Sequence, residues 1–279
     1  IRAVERSRGL GDVYKRQVSI SIQSGDLEES IKSHPAKVVL VMGELINSKS
    51  DNLFFTHHHF DHDVDYPCFL LCRWDQSIGT ENKLKVFGPP PTEKLTREII
   101  GSKGAFAHDW KARIGAPGSQ QVFMNRGGTL PRTPPEVLAK DIGPGKVYSG
   151  DDWEVTAAPA VHVQPFLDSL AYRFDTPEGS VVFTGDTEPC DSVIELAQNA
   201  DLMLCMCWDE QSNMVQSGEH SGQCGTSGAA EMAARANVKK LCLVHIGPNL
   251  SQAEVMNCLL YTSDAADEGL GVDLGGRRI

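Results

Sequence analysis

The chain has 279 residues, with 26 Lys+Arg against 37 Asp+Glu for a formal charge of −11, and it is 41% hydrophobic but only 7% aromatic. That length makes one large domain or two small ones, able to bury about three quarters of the unfolded surface without disulfides or oligomerisation. The acidic balance excludes a general nucleic-acid coat, which works by neutralising phosphates with many Lys and Arg.

In chain order, the first stretch is not read as native protein. Ser7 to Gln17 is the translation expected from a transposon end used in sequencing libraries, and Cys258 to Ser263 translates the reverse complement of the same element. Residues 1–17 and 258–279 are therefore expected to be adaptor-derived tails without function, leaving 18–257 as the domain, truncated at both ends. That remainder stays acidic, with 19 Lys+Arg against 31 Asp+Glu.

Ser24, Asp26 and Glu28 read as a helix start, and Pro35 opens a second helix running through Val41 toward Ile46. The apolar stretch there is broken by Lys37, Gly43 and Glu44, and no other run approaches the roughly 20 residues that cross a bilayer. Leu53 to Thr56 is a short buried strand ending in a His-rich stretch. Tyr66 to Trp74 is an apolar segment, Leu84 to Phe87 a strand stopped by Gly88-Pro89-Pro90-Pro91, and Thr92 to Ile100 a helix. From Gly101 to Gly145 the periodicity is weak, which reads as a lid or insertion spanning about 88–146.

Strands follow at Trp153 to Ala158, Ser169 to Phe174 and Ser180 to Phe183, then a helix at Cys190 to Gln198 and a strand at Leu202 to Cys207. An alanine-rich helix, Thr226 to Ala236, and a last strand, Lys240 to Val244, complete an α/β layered pattern.

His57-His58-His59-Phe60-Asp61-His62 is the most informative stretch. A strand end that turns sharply aims His57 and His59 at one point, and Asp61 and His62 at a neighbouring one. Imidazole and carboxylate suit zinc, and less selectively manganese or iron. Three more ligand-type residues each follow a predicted strand: His162, Asp186 and His245.

This constellation resembles the metallo-β-lactamase fold superfamily, a four-layer αββα sandwich with two metals on its edge. Gly185-Asp186-Thr187-Glu188-Pro189-Cys190, Phe87-Gly88-Pro89-Pro90 and Leu241-Cys242-Leu243-Val244-His245 are similar in particular to its ribonuclease Z and arylsulfatase-like branch. The resemblance, covering about 53–248, implies that His57, His59 and His162 hold a first zinc, Asp61, His62 and His245 a second, and that Asp186 bridges them. Two such ions hold a shared hydroxide, because coordination lowers the pKa of water from 15.7 to about 7, and Asp61 can orient the attacking water. His59, at the place of a glutamate in the flavin-linked di-iron branch, argues against a redox role.

The sequence departs from ribonuclease Z in two places. Where that family carries His-x-Thr, with the His as a proton donor, this chain has Cys224-Gly225-Thr226. His220 or Cys224 are the candidate replacements. That family's RNA-gripping arm falls between the third His and the bridging Asp, yet here His162 and Asp186 are 24 positions apart, which accommodates two strands and no arm.

Residues 83–146 hold 11 Lys+Arg and five Asp+Glu, either a patch attracting an anionic substrate or a solvated insertion. Trp74, Trp110 and Phe123 are candidates to line a pocket there. The pairs Cys68/Cys72 and Cys205/Cys207 read as reduced core thiols of a cytoplasmic protein, and His58 is expected to point away from its neighbours.

The function expected is di-zinc hydrolysis of a phosphodiester in an anionic small molecule or RNA, with no membrane and no stable nucleic-acid partner, and with a homodimer left open. The alternatives are arylsulfatase-like or lactonase cleavage of a small ester, and a catalytically inert fragment.

Overall fold

The computed structural model describes residues 51–78, 83–247 and 250, together with the backbone of 21–22, 38–39 and 271–272. The adaptor-like readings of 1–17 and 258–279 and the helix start at Ser24 fall outside these residues. The chain divides into two compact units, one within Val18–Ile142 and one from Gly143 onward.

The first unit carries a five-stranded sheet of β1 (Ser21–Ile22), β2 (Val38–Val39), β3 (Asn52–Phe54), β4 (Leu84–Gly88) and β5 (Val137–Asp141), in that spatial order. β1 and β2 are antiparallel and the remaining neighbours parallel. Val38–Val39 corrects the helix expected from Pro35: Val38 pairs with Asn52 and Val39 with Ser21 in the sheet, and β-branching favours a pleated strand over a helix.

Among the described residues of this unit the helices are α1 (Phe60–Asp63), α2 (Tyr66–Gln76), α3 (Thr92–Ile100), α4 (Ala107–Gly115) and α5 (Pro117–Asn125). Leu53, Phe55, Leu84 and Val86 from the sheet pack with Tyr66, Phe69, Leu70, Ile99 and Ile100 from α2 and α3 in one buried cluster. Parallel strands need such crossover helices to return the chain to the same edge.

The stretch 101–145, whose weak periodicity reads as a lid or insertion, holds α4, α5 and β5, whose residues 137–141 pair along all of β4. Trp110 is buried and donates to Ile100 O at 3.0 Å, while Trp74 and Phe123 flank the Arg132 guanidinium at 3.9 and 4.7 Å. Arg132 and Arg126 also bind Asp75, and together they hold that carboxyl below its usual range against the opposing effect of burial. Lys83 pairs with Glu136 and Lys94 with Glu98, so much of the positive charge in 83–146 is committed within the fold.

The second unit carries a seven-stranded sheet, in spatial order β12 (Gly271–Val272), β11 (Lys240–Val244), β10 (Leu202–Met206), β9 (Gly179–Phe183), β8 (Leu170–Thr176), β7 (Glu154–Pro159) and β6 (Gly145–Ser149). β6 to β9 form an antiparallel meander, and β9 to β12 run parallel. Between the parallel strands lie α6 (Asp191–Leu196), α7 (Gln211–Ser217) and α8 (Thr226–Arg235).

Ala229, Ala230 and Ala233 of α8 are buried with Met203, Cys205, Leu241 and Leu243; small side chains let this helix approach the sheet closely. Cys205 and Cys207 are core residues as expected, whereas Cys68 is exposed. Among the described residues no helix is long and apolar enough to cross a membrane.

Candidate metal site

The first donor set lies where β3 leaves the sheet. Phe55 N still donates to Phe87 O at 2.8 Å, and the next residues turn toward α1. His59 caps that helix in extended conformation (φ −73°, ψ 144°), and His62 N donates to His59 O at 2.9 Å. This turn gathers the imidazoles. His57 is fully buried, its Nε2 lies 3.1 Å from His59 Nδ1, and its ring centre is 4.4 Å from that of His62. Asp61 Oδ2 is 3.8 Å from His62 Nε2.

His58 points the other way. Its Nδ1 lies 3.2 Å from Asp63 Oδ2 and its Nε2 2.7 Å from Thr92 Oγ1, which ties the loop to the start of α3. Thr92 Oγ1 in turn donates to Pro89 O. Gly88 is required beneath this junction, because a Cβ there would sit 2.5 Å from Thr92 Oγ1 and 2.9 Å from Phe55 Cβ.

The second donor set is assembled by topology. β7, β9 and β11 run in one direction, since two antiparallel steps separate β7 from β9 and β9 to β11 are parallel. The residues after their C-terminal ends therefore share one sheet edge, where α/β proteins place ligands. His162, Asp186 and His245 all emerge there. His245 Nε2 lies 3.4 Å from Asp186 Oδ2, and His162 Nε2 lies 3.9 Å from the same oxygen. Asp186 is buried. His245 has a left-handed backbone (φ 53°), a conformation uncommon outside glycine and often found at functional sites.

Three loops at this edge are knitted together. Thr187 Oγ1 accepts from Val161 N at 3.0 Å, and Glu188 N donates to Val161 O at 2.8 Å. The Glu188 carboxylate accepts from Gly222 N at 2.8 Å. Gly222 O lies 2.6 Å from His162 Nδ1; a carbonyl only accepts, so His162 donates through Nδ1–H and keeps Nε2 directed toward Asp186. Carbonyl or carboxylate partners of this kind set the tautomer of metal-binding histidines. Gly222 has φ 73°, and a Cβ on it would reach 1.9 Å from His162 O, so only glycine fits.

Glu188 and Gly222 carry no mark of this role in the sequence, beyond Glu188 lying in the Gly-Asp-Thr-Glu-Pro block. Their importance arises from a contact between residues 60 positions apart.

The donor chemistry fits divalent metal in each set. Nitrogen and oxygen ligands at about 2.0–2.1 Å from a tetrahedral zinc stand roughly 3.3 Å apart, close to the 3.1 Å between His57 and His59 and the 3.4 Å between His245 and Asp186.

Cys224 requires a correction. It is fully buried in the core of the second unit, and the neighbouring Cys205 thiol together with burial pushes its own thiol well above the ordinary range. A sealed thiol that holds its proton so firmly is packing, not a proton donor. His220 is exposed, in the turn between α7 and α8, two residues before Gly222. The 23 residues between His162 and Asp186 form β8, β9 and the short connections around them.

The profile of the family described as Beta-lactamase superfamily domain matches residues 43–246. The chain belongs to that family. Its sequence is 28% identical over 232 residues to the ribonuclease Z of Mycobacterium avium, covering 80% of this chain and 77% of that one. It is 27% identical over 281 residues to the ribonuclease Z of Methanothermobacter thermautotrophicus, covering 81% and 80%.

Among solved structures, the metallo-beta-lactamase fold protein YhfI from Bacillus subtilis superposes with a TM-score of 0.54 at 15% identity, over 81% of this chain and 75% of that one. This likeness carries the fold: the chain has the α/β metallo-β-lactamase architecture expected from its motifs, and with its ribonuclease Z relatives it is a hydrolase of that superfamily.

Proposed function

We propose that this hydrolase cleaves phosphodiester bonds at a two-metal centre formed by the two donor sets together. In this reading His57, His59 and His162 hold one ion, Asp61, His62 and His245 the other, and Asp186 bridges them. Zinc is the metal favoured by this donor set, with manganese or iron as alternatives. The observation that carries the proposal is the pair of compact His/Asp clusters, each at the end of sheet strands in its own unit, in a chain whose sequence relatives are ribonucleases Z.

When bound, such ions lower the pKa of water toward neutrality and neutralise charge on the group being cut. The protein's part is orientation. Gly222 O fixes the His162 ring, Glu188 fixes Gly222, and the Asp61 carboxylate can align an incoming water. With Cys224 excluded, His220 is the residue proposed to protonate the leaving oxygen, from a turn already fastened to His162 through Gly222.

The reading extends to an anionic small-molecule or RNA substrate, a cytoplasmic location and the absence of a stable nucleic-acid partner, with a homodimer left open. All seven described cysteines are free, which suits a reducing compartment.

The test is a metal assay beside two hydrolysis assays. About two zinc ions per chain and turnover of bis(p-nitrophenyl) phosphate above p-nitrophenyl sulfate support the proposal. The reverse preference moves it to sulfate esters, and a metal-free, inactive protein marks the chain as an inert fragment.

A further inference from the structure

Helix α2 buries Tyr66, Phe69, Leu70 and Arg73, a spacing that turns the other side of the helix outward. Cys68 and Cys72 share that outer side. Among the described cysteines Cys68 alone is exposed, and Cys72 is half-buried. Four positions separate them in sequence, and their Sγ atoms stand 3.9 Å apart. Both belong to the first unit, and neither takes part in the His/Asp chemistry described above.

Geometry separates the two ways a thiol pair can be used. A disulfide needs Cβ atoms about 3.5–4.5 Å apart, whereas a helix holds the Cβ atoms of residues four apart at about 5–6 Å. Bridging the pair would unwind a helix whose opposite side is packed into the core. A metal ion makes no such demand, because it sits between the sulfurs. Two thiolates at about 2.3 Å from a tetrahedral zinc ion stand about 3.8 Å apart. That is close to the spacing the side chains already have.

The surroundings agree. Burial, and then the Cys68 thiol beside it, raise the Cys72 thiol above its ordinary range, with Asp75 adding to the effect and Arg113 opposing it. A pair that holds its protons this way is a poor nucleophile toward oxidants at neutral pH. The repulsion between two adjacent thiolates is the cost that a divalent cation removes. Asp75 itself is committed to Arg126 and Arg132, so the two sulfurs make up the protein's share of the site.

We propose that Cys68 and Cys72 form a dithiol site for one soft, thiophilic divalent cation, made from residues other than the His and Asp donors. Thiolate is the soft end of the protein ligand scale, so this site takes a different class of ion from one built on imidazole and carboxylate. As the two metal–sulfur bonds form, the two thiol protons leave to solvent. The proposal is independent of the hydrolase reading.

The probe is cadmium alone, added to the reduced full-length chain, and the readout is thiolate-to-metal charge-transfer absorption, which imidazole and carboxylate donors do not give. The band is expected to saturate as a single site. Cys68→Ser and Cys72→Ser should each weaken that binding by about 100-fold or more, beyond the roughly 10–100-fold that loss of a supporting contact costs. Cys224→Ala, which leaves the pair intact, should keep the wild-type affinity. Since ligand thiols must lose their protons, wild-type affinity should rise about 100-fold per pH unit below the thiol range, tenfold for each proton.

A band that survives both serine variants places the cation on other thiols and overturns the inference. So does the absence of a band, or a slope of tenfold per pH unit, which marks a single thiol. A Cys68–Cys72 disulfide recovered by peptide mapping from the folded chain after mild oxidation would overturn the spacing argument itself.

Discussion

The two donor sets are built on different principles. In the first unit four ligand-type residues fall within six positions, and a short turn after β3 gathers them with help from His58 and Thr92. In the second unit three ligand-type residues are spread from 162 to 245, and only the common direction of β7, β9 and β11 brings them to one edge. The first set is a property of local chain; the second is a property of topology, held by contacts among loops. The local set should therefore tolerate distant changes, and the assembled set should fail when a loop contact is lost.

The largest effect is expected for Asp186→Ala, which removes the carboxylate that both His245 and His162 approach. If the two sets act as one centre, zinc content falls and kcat/KM drops by about a thousandfold or more, the several kcal/mol a catalytic metal supplies. Full metal content measured by atomic absorption would break the proposed bridge.

Next is Glu188→Ala, which frees the Gly222 turn without touching a donor. Removing such a supporting contact costs about 10–100-fold in metal affinity, measurable by competition with a chromogenic chelator. The matching change in the first unit is Thr92→Val, which deletes the hydroxyl that meets His58 Nε2. A loss smaller than that of Glu188→Ala is expected, since His57, His59 and His62 also hold one another. The opposite order would overturn the local-versus-assembled distinction.

Gly88→Ala should lower stability by about 1–3 kcal/mol through overpacking against Thr92 and Phe55, seen as a reduced Tm. Cys224→Ala should leave kcat within about twofold, because the thiol is core, and should cost about 1 kcal/mol in stability.

The smallest effect concerns Asp201, whose carboxyl is lowered to about 2, first by Lys239 and then by Ser180 N. Because the folded value lies below the unfolded value of about 3.9, this contribution is complete above that value and fades as pH falls toward 2. Asp201→Asn should flatten the acid limb of a Tm-against-pH curve slightly, exposed ion pairs being weak.

Much of this was readable beforehand. The strands at 84–88, 179–183 and 240–244 and the helix at 92–100 follow from short apolar runs bounded by Gly and Pro, and the His-rich turn after β3 is visible as spacing alone. The elements within 101–145 were not legible, because α5 carries no strongly apolar face and β5 alternates only partly buried residues. Nor was the place of Cys224 legible: its position opposite a family motif suggested chemistry, while its packing beside Cys205 assigns it to the core.

By itself the sequence determined the donor types, their places after strands and the family, because local periodicity and residue chemistry survive in one dimension. Only the tertiary structure decided that Gly222 orients His162, that Glu188 holds Gly222 and that Cys224 is sealed away. Each depends on a hydrogen bond or a burial between distant positions, and such partners exist only once the sheet has brought its loops to one edge.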